Sequence, residues 1–169
     1  MATLAVSAVG LDRPGIIAGV AERLAAHGAN VTDSRMAILR GHFAMTLIVE
    51  GAEREALAAD LETLGTLETF SVAEVAEAAD HPRSQPNAVV SVHGADHPGI
   101  LAAVTRALAG ADVNVCDLQT RLAGDLYAMV IDVAVPEGLS LDALDARLQA
   151  AAAEQGVRLT LRAVDTDVL

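Results

Sequence analysis

Two periodicities alternate along this chain. Thr3–Val9 is a short apolar, β-branched run and predicts a strand. Pro14 then stands where a helix accepts its first residue, and Ile16, Ile17, Val20 and Leu24 repeat at helical spacing up to a stop at Gly28. Val31–Leu39 predicts a second strand, and Arg40-Gly41 a tight turn. Phe43, Met45, Leu47 and Val49 alternate on one face of a third strand. Leu57, Leu61 and Leu64 mark a second amphipathic helix, and Leu67–Val75 a fourth strand. The order is βαββαβ.

The pattern then repeats. Leu4–Val49 lies on Ala88–Val133 at an offset of 84 residues without a gap. Gly10-Leu11-Asp12-Arg13-Pro14-Gly15-Ile16 returns as Gly94-Ala95-Asp96-His97-Pro98-Gly99-Ile100, and Asn30-Val31-Thr32-Asp33 as Asn114-Val115-Cys116-Asp117. In the second copy Val89–His93 predicts a strand, and Ile100, Leu101, Val104 and Leu108 a helix. Val113–Leu122 and the alternating Tyr127, Met129, Ile131 and Val133 predict two more strands. Leu141, Leu144 and Leu148 mark the next helix, with Ser140 as its cap, and Val157–Val164 the last strand. Residues 77–87 hold two prolines, charges and small residues and predict a linker between domains at 1–76 and 88–165. The fold class is therefore α+β. It consists of two ferredoxin-like βαββαβ domains, each an antiparallel four-stranded sheet with two helices on one face. Ala44, Thr46, Ile48, Ala128 and Val130 should point to the face without helices.

Composition narrows the chemistry. Net charge is −12, with 23 acidic residues against 11 basic, and every basic residue is Arg. Without Lys there is no Schiff base, no pyridoxal anchor and no P-loop lysine. Nucleic-acid binding needs a basic face, and base stacking needs more than Phe43, Phe70 and Tyr127. No direct nucleic-acid partner is expected. No apolar run reaches the roughly 18 residues of a membrane span, and no signal peptide is evident. One cysteine, Cys116, fits a reducing compartment. The expectation is a cytoplasmic protein with no membrane partner.

The duplicated loop carries the functional expectation. Gly15 and Gly99 bare the first N–H groups of their helices, which favours an anion such as a carboxylate. Asp12 and Asp96 stand just before, placed to cap the helix or to accept from an ammonium group. Asn30 and Asn114, whose amides donate and accept, open the second strand, which is expected to neighbour the loop. Together these fit a free α-amino acid. The same residues also make a good helix start and ordinary turns, so each taken singly has a structural reading. His93, Asp96 and His97 are too few to complete a metal site, and Cys116 has no basic neighbour to activate it. No catalytic constellation, metal or cofactor is expected.

Asp-Arg-Pro-Gly-Ile followed fifteen residues after the Gly by Asn-Val, inside βαββαβ, resembles the ACT domain. The resemblance covers both copies and implies a small-molecule, mostly amino-acid, regulatory domain. Two such domains with nothing else attached are similar to the glycine cleavage system transcriptional repressor group. The resemblance implies glycine or serine as ligand and a regulatory partner protein, and the apolar ferredoxin-like sheets with their helix-free faces lead to the expectation of a homo-oligomer. By position it assigns ligand contacts to Asp12, Gly15, Ile16 and Asn30, and to Asp96, Gly99, Ile100 and Asn114, at an interface between two domains. Some amino-acid-binding members carry His or another polar residue two places before the Asp; Gly10 and Gly94 stand there in this chain. Arg13 against His97 distinguishes the two loops. A separate regulatory subunit of an amino-acid metabolic enzyme, or a dimerisation module without ligand, would share these features.

Overall fold

The computed structural model describes residues 2–76 and 85–164. The chain divides into two compact units, 1–81 and 82–169. In the first, β1 (Thr3–Leu11), α1 (Ile16–Ala26), β2 (Asn30–Leu39), β3 (His42–Glu50), α2 (Arg54–Glu62) and β4 (Thr69–Val75) follow the expected order. In the second, β5 (Ala88–Ala95), α3 (Ile100–Ala109), β6 (Asn114–Ala123), β7 (Leu126–Ala134), α4 (Leu141–Glu154) and β8 (Arg158–Ala163) repeat it. Each unit has one antiparallel sheet, ordered β2-β3-β1-β4 and β6-β7-β5-β8. The α+β, ferredoxin-like architecture is thus present in both copies. Most of the linker expected at 77–87 lies outside the described residues, as does residue 165.

Each core is a one-sided sheet closed by its helices. Leu4, Val6 and Ala8 of β1 and Phe43, Met45, Leu47 and Val49 of β3 alternate inward. They meet Ile16, Val20 and Leu24 of α1 and Leu57 and Leu61 of α2. The second core repeats this with Val90, Val92, Met129 and Ile131 under Ile100, Val104, Leu108, Leu144 and Leu148. Burying a Leu or Ile side chain of this kind contributes about 1.5–3 kcal/mol. Ala44, Thr46 and Ile48 fall between the buried residues of β3, on the face that carries no helix. Ala128 and Val130 do the same on β7, where Val130 is 47% exposed.

Both β2 and β6 are edge strands, and each carries a bulge at the same place. The register slips between Val31 and Asp33, and again between Val115 and Asp117, leaving Thr32 and Cys116 as the extra residues. Ser140 caps α4 as expected, its Oγ accepting from the Ala143 N–H at 3.2 Å. Glu53 caps α2, accepting from the N–H groups of Glu55 at 3.1 Å and Ala56 at 2.7 Å. Gly28 sits at φ 68 just beyond the His27 C-cap, and the helix stops there as its sequence predicts.

Three local expectations need correction. Pro14 does not open the helix. Gly15 at φ 94 is the N-cap, a left-handed conformation no helical residue can hold, so α1 begins at Ile16. Leu64 lies past the end of α2 and packs against the core from the loop. The third is the place of Asn30 and Asn114, which open their strands at the sheet end away from the loop.

Candidate functional site

The loop after β1 and its counterpart after β5 are each tied to the neighbouring strand turn. The Asp12 N–H donates to the carbonyl of Gly41 in the β2–β3 turn at 2.9 Å, and the Asp96 N–H donates to that of Asp125 at 3.1 Å. From there Pro-Gly turns the chain onto the sheet. Gly15 (φ 94) and Gly99 (φ 109) are the N-caps, and neither helix has a side-chain cap. Gly19 N–H donates to the Gly15 carbonyl at 2.9 Å and Ala103 N–H to that of Gly99 at 2.9 Å, closing the first turns. The amides ahead of them have no acceptor within the helix. Glu53 and Ser140 cover those donors on α2 and α4, whereas α1 and α3 have no side-chain cap hydrogen bond. Partial positive charge therefore gathers at two exposed loops of a strongly acidic protein.

The expected site residues take different parts. Asp12 and Asp96 are exposed in the loops. They do not cap the helices: Gly15 and Gly99 occupy the cap positions, and neither start has a side-chain cap hydrogen bond. Ile16 and Ile100 are buried, 4% and 1% exposed, so what they present outward is their N–H. Asn30 and Asn114 do not neighbour the loop of their own copy. Asn30 pairs with Glu50, which lies across the sheet end from Thr3, whereas the loop follows Leu11, paired with His42. Asn114 pairs with Ala134, at the far end of its sheet from Ala95 and Leu126. Eight strand residues separate the two ends, about 26 Å. The cause is topological: α1 carries the chain back along the sheet before β2 begins. One copy thus brings Asp, Gly and Ile together and leaves its Asn at the opposite end.

Gly10 and Gly94 are shaped by packing. A Cβ at Gly10 would lie 2.8 Å from the carbonyl oxygen of Thr66, and one at Gly94 would lie 2.8 Å from Cγ1 of Val157. The connection into the last strand of each unit fills the space where a polar side chain would otherwise stand.

The second loop has contacts the first lacks. His97 Nε2 is 2.8 Å from the carbonyl of Gln155, and Nδ1 is 3.1 Å from that of Pro98. These two carbonyls hold its pKa above the ordinary value, with a smaller contribution from the Asp96 carboxylate. Burial raises the Tyr127 phenol, and Asp96 adds to the effect. Gln155 stands 58 residues from His97, and no sequence motif marks it. Among the described residues no three His, Cys, Asp or Glu side chains converge as metal ligands.

The ACT domain pattern matches residues 2–70 and again 87–162, both sheets and all four helices. The chain belongs to the ACT domain family. A crystal structure of an unknown protein from Galdieria sulphuraria shares its fold with a TM-score of 0.75 and 31% identity, covering 96% of this chain and 98% of that one. A UPF0237 protein of Methanopyrus kandleri is 42% identical over 55 residues, 32% of this chain and 61% of its own length. The glycine cleavage system transcriptional repressor of Escherichia coli is 26% identical over 121 residues, 70% of this chain and 64% of its own. This ACT protein thus spans about three fifths of the length of these two curated relatives. Among the described residues no helix is long and apolar enough to cross a membrane.

Proposed function

We propose that this ACT protein is a non-catalytic regulator that senses a free amino acid of the glycine and serine class and passes the signal to a partner protein. The observation that carries the reading is the pair of uncapped helix starts, in the same position of both copies, on a protein that caps its other two helices. A ligand carboxylate meets the bared N–H groups, and its ammonium meets Asp12 or Asp96. The Asn contact comes from another copy of the domain, which a homo-oligomer supplies, because Asn30 and Asn114 lie about 26 Å from the loops of their own copies. Ligand then favours the assembled state over the separate one, and a partner that distinguishes the two responds to it. The likeness to the Escherichia coli repressor supports a transcription regulator as that partner. A net charge of −12 favours action on a DNA-binding protein over contact with DNA.

A thermal-shift screen of the full chain against the free amino acids tests this. A ligand bound only by the folded state at 100 times its dissociation constant adds about 2.7 kcal/mol, a visible rise in melting temperature. A rise with glycine or serine and not with their amides, which lack the carboxylate, is expected. No rise with any amino acid would overturn the reading.

A further inference from the structure

A neutral imidazole has one N–H and one lone pair, and an imidazolium has two N–H groups. Both ring nitrogens of His97 face carbonyl oxygens, at 2.8 Å and 3.1 Å. Neither oxygen can donate, so only the protonated ring makes both bonds. The neutral ring turns a lone pair toward one of the two carbonyls and loses that contact. The Gln155 carbonyl adds a second reason. Gln155 is the C-cap of the fourteen-residue α4, where the helix dipole concentrates negative charge and a cation is favoured. The Gln155 side chain also closes on the turn, its Oε1 lying 3.1 Å from where a Cβ on Gly99 would be.

We propose that His97 is the positioning residue of the second loop: as an imidazolium it fastens the β5–α3 turn to the end of α4, and loss of its proton releases that turn. The first copy has Arg13 at this position, whose guanidinium has no neutral form to switch to. The two loops of one chain therefore answer differently to pH, the second loosening as pH rises and the first staying as it is. The charged group acting on the ring is Asp96 of its own loop. The other titratable groups near the ends of the elements meeting there are His93 on β5, Asp125 in the β6–β7 turn, Tyr127 on β7, Glu154 beside Gln155 and Arg158 at the start of β8. The consequence for ligand, a second site that weakens in alkali, rests on the function proposed above; the tie itself does not.

The test needs no ligand. The ring C–H signals of His97 are followed by NMR against pH in the full chain, together with exchange of the Asp96 and Ala103 amides, whose hydrogen bonds frame the loop. Their protection is normalised to that of Asp12 and Gly19, the counterparts in the first copy. The ring should titrate above the ordinary 6.5, and the normalised protection should fall several-fold across that titration. His97→Gln should show the reduced protection at every pH, and His97→Arg should show no pH dependence. A ring that titrates at or below 6.5, or a protection ratio flat with pH in the parent, would overturn the proposal. A failed ligand screen leaves these readouts untouched and counts only against the amino-acid reading.

Discussion

Replacing Gly10 or Gly94 by Ala tests why the two loops lack a polar side chain two places before the Asp. At Gly10 the new methyl would sit 2.8 Å from the Thr66 carbonyl oxygen and 3.5 Å from both the Glu68 N and the Leu67 Cα. At Gly94 it would sit 2.8 Å from Cγ1 and 3.1 Å from Cβ of Val157. Ordinary van der Waals contact begins at 3.4 Å, so each contact requires about 0.6 Å of relief. Overpacking of this order costs about 1–3 kcal/mol. Gly10→Ala belongs at the upper end, because Thr66 offers backbone and the Glu68 N–H holds that segment to the Val9 carbonyl at 2.9 Å. Gly94→Ala belongs lower, because part of its clash is with a methyl that can move. For a domain of this size each kcal/mol shifts melting by about 4–8 °C. Calorimetry of the full chain should therefore show a fall of about 10 °C or more for Gly10→Ala, and a smaller one for Gly94→Ala. In Gly94→Ala combined with Val157→Ala the losses should sum to less than the two single losses, since the clashing methyl is gone. If Gly10→Ala melts within about 2 °C of the parent, the space is not closed and the packing account fails.

Leu148→Ala, at a fully buried position of α4, should lose about 2–5 kcal/mol in denaturant unfolding, whereas Leu39→Ala, 61% exposed on β2, should stay within about 0.5 kcal/mol. Glu53 bears on acid stability. Its carboxylate pKa is lowered from 4.5, first by the Glu55 side chain and then by the Ala56 and Glu55 N–H groups. A lowered folded-state value means the stabilisation is present above 4.5 and is lost as pH falls through the folded value, so Glu53→Gln should melt lower at neutral pH and converge with the parent in acid. Asn30→Ala and Asn114→Ala should each weaken amino-acid binding in calorimetric titration without lowering the melting temperature of the free protein. Unchanged affinity in both would remove the Asn from the site.

Much of the fold could be read from period alone. Phe43, Met45, Leu47 and Val49 alternate because one face of β3 is buried, and Ile16, Val20 and Leu24 recur because one face of α1 is. The helix start was less legible. Asp-X-Pro-Gly suits a helix opening at Pro as well as a turn ending on a left-handed Gly, and the choice depends on where β1 delivers the chain. The place of Asn30 was misread for a related reason. Chain order makes β2 the next strand after the loop, but β3 lies between β2 and β1, and the helix has already reversed direction. The site was legible as residue types and not as a constellation. The His97–Gln155 contact spans 58 residues between loops of unlike sequence, and no periodicity reports it.

Because both copies lie on one polypeptide, a substitution in one is not mirrored in the other. An assembly of identical single-domain chains acquires every change everywhere at once. Here Arg13 and His97 have parted while Asp, Pro and Gly around them have not. A tandem gene can thus let its two domains diverge residue by residue and still deliver them in fixed one-to-one proportion.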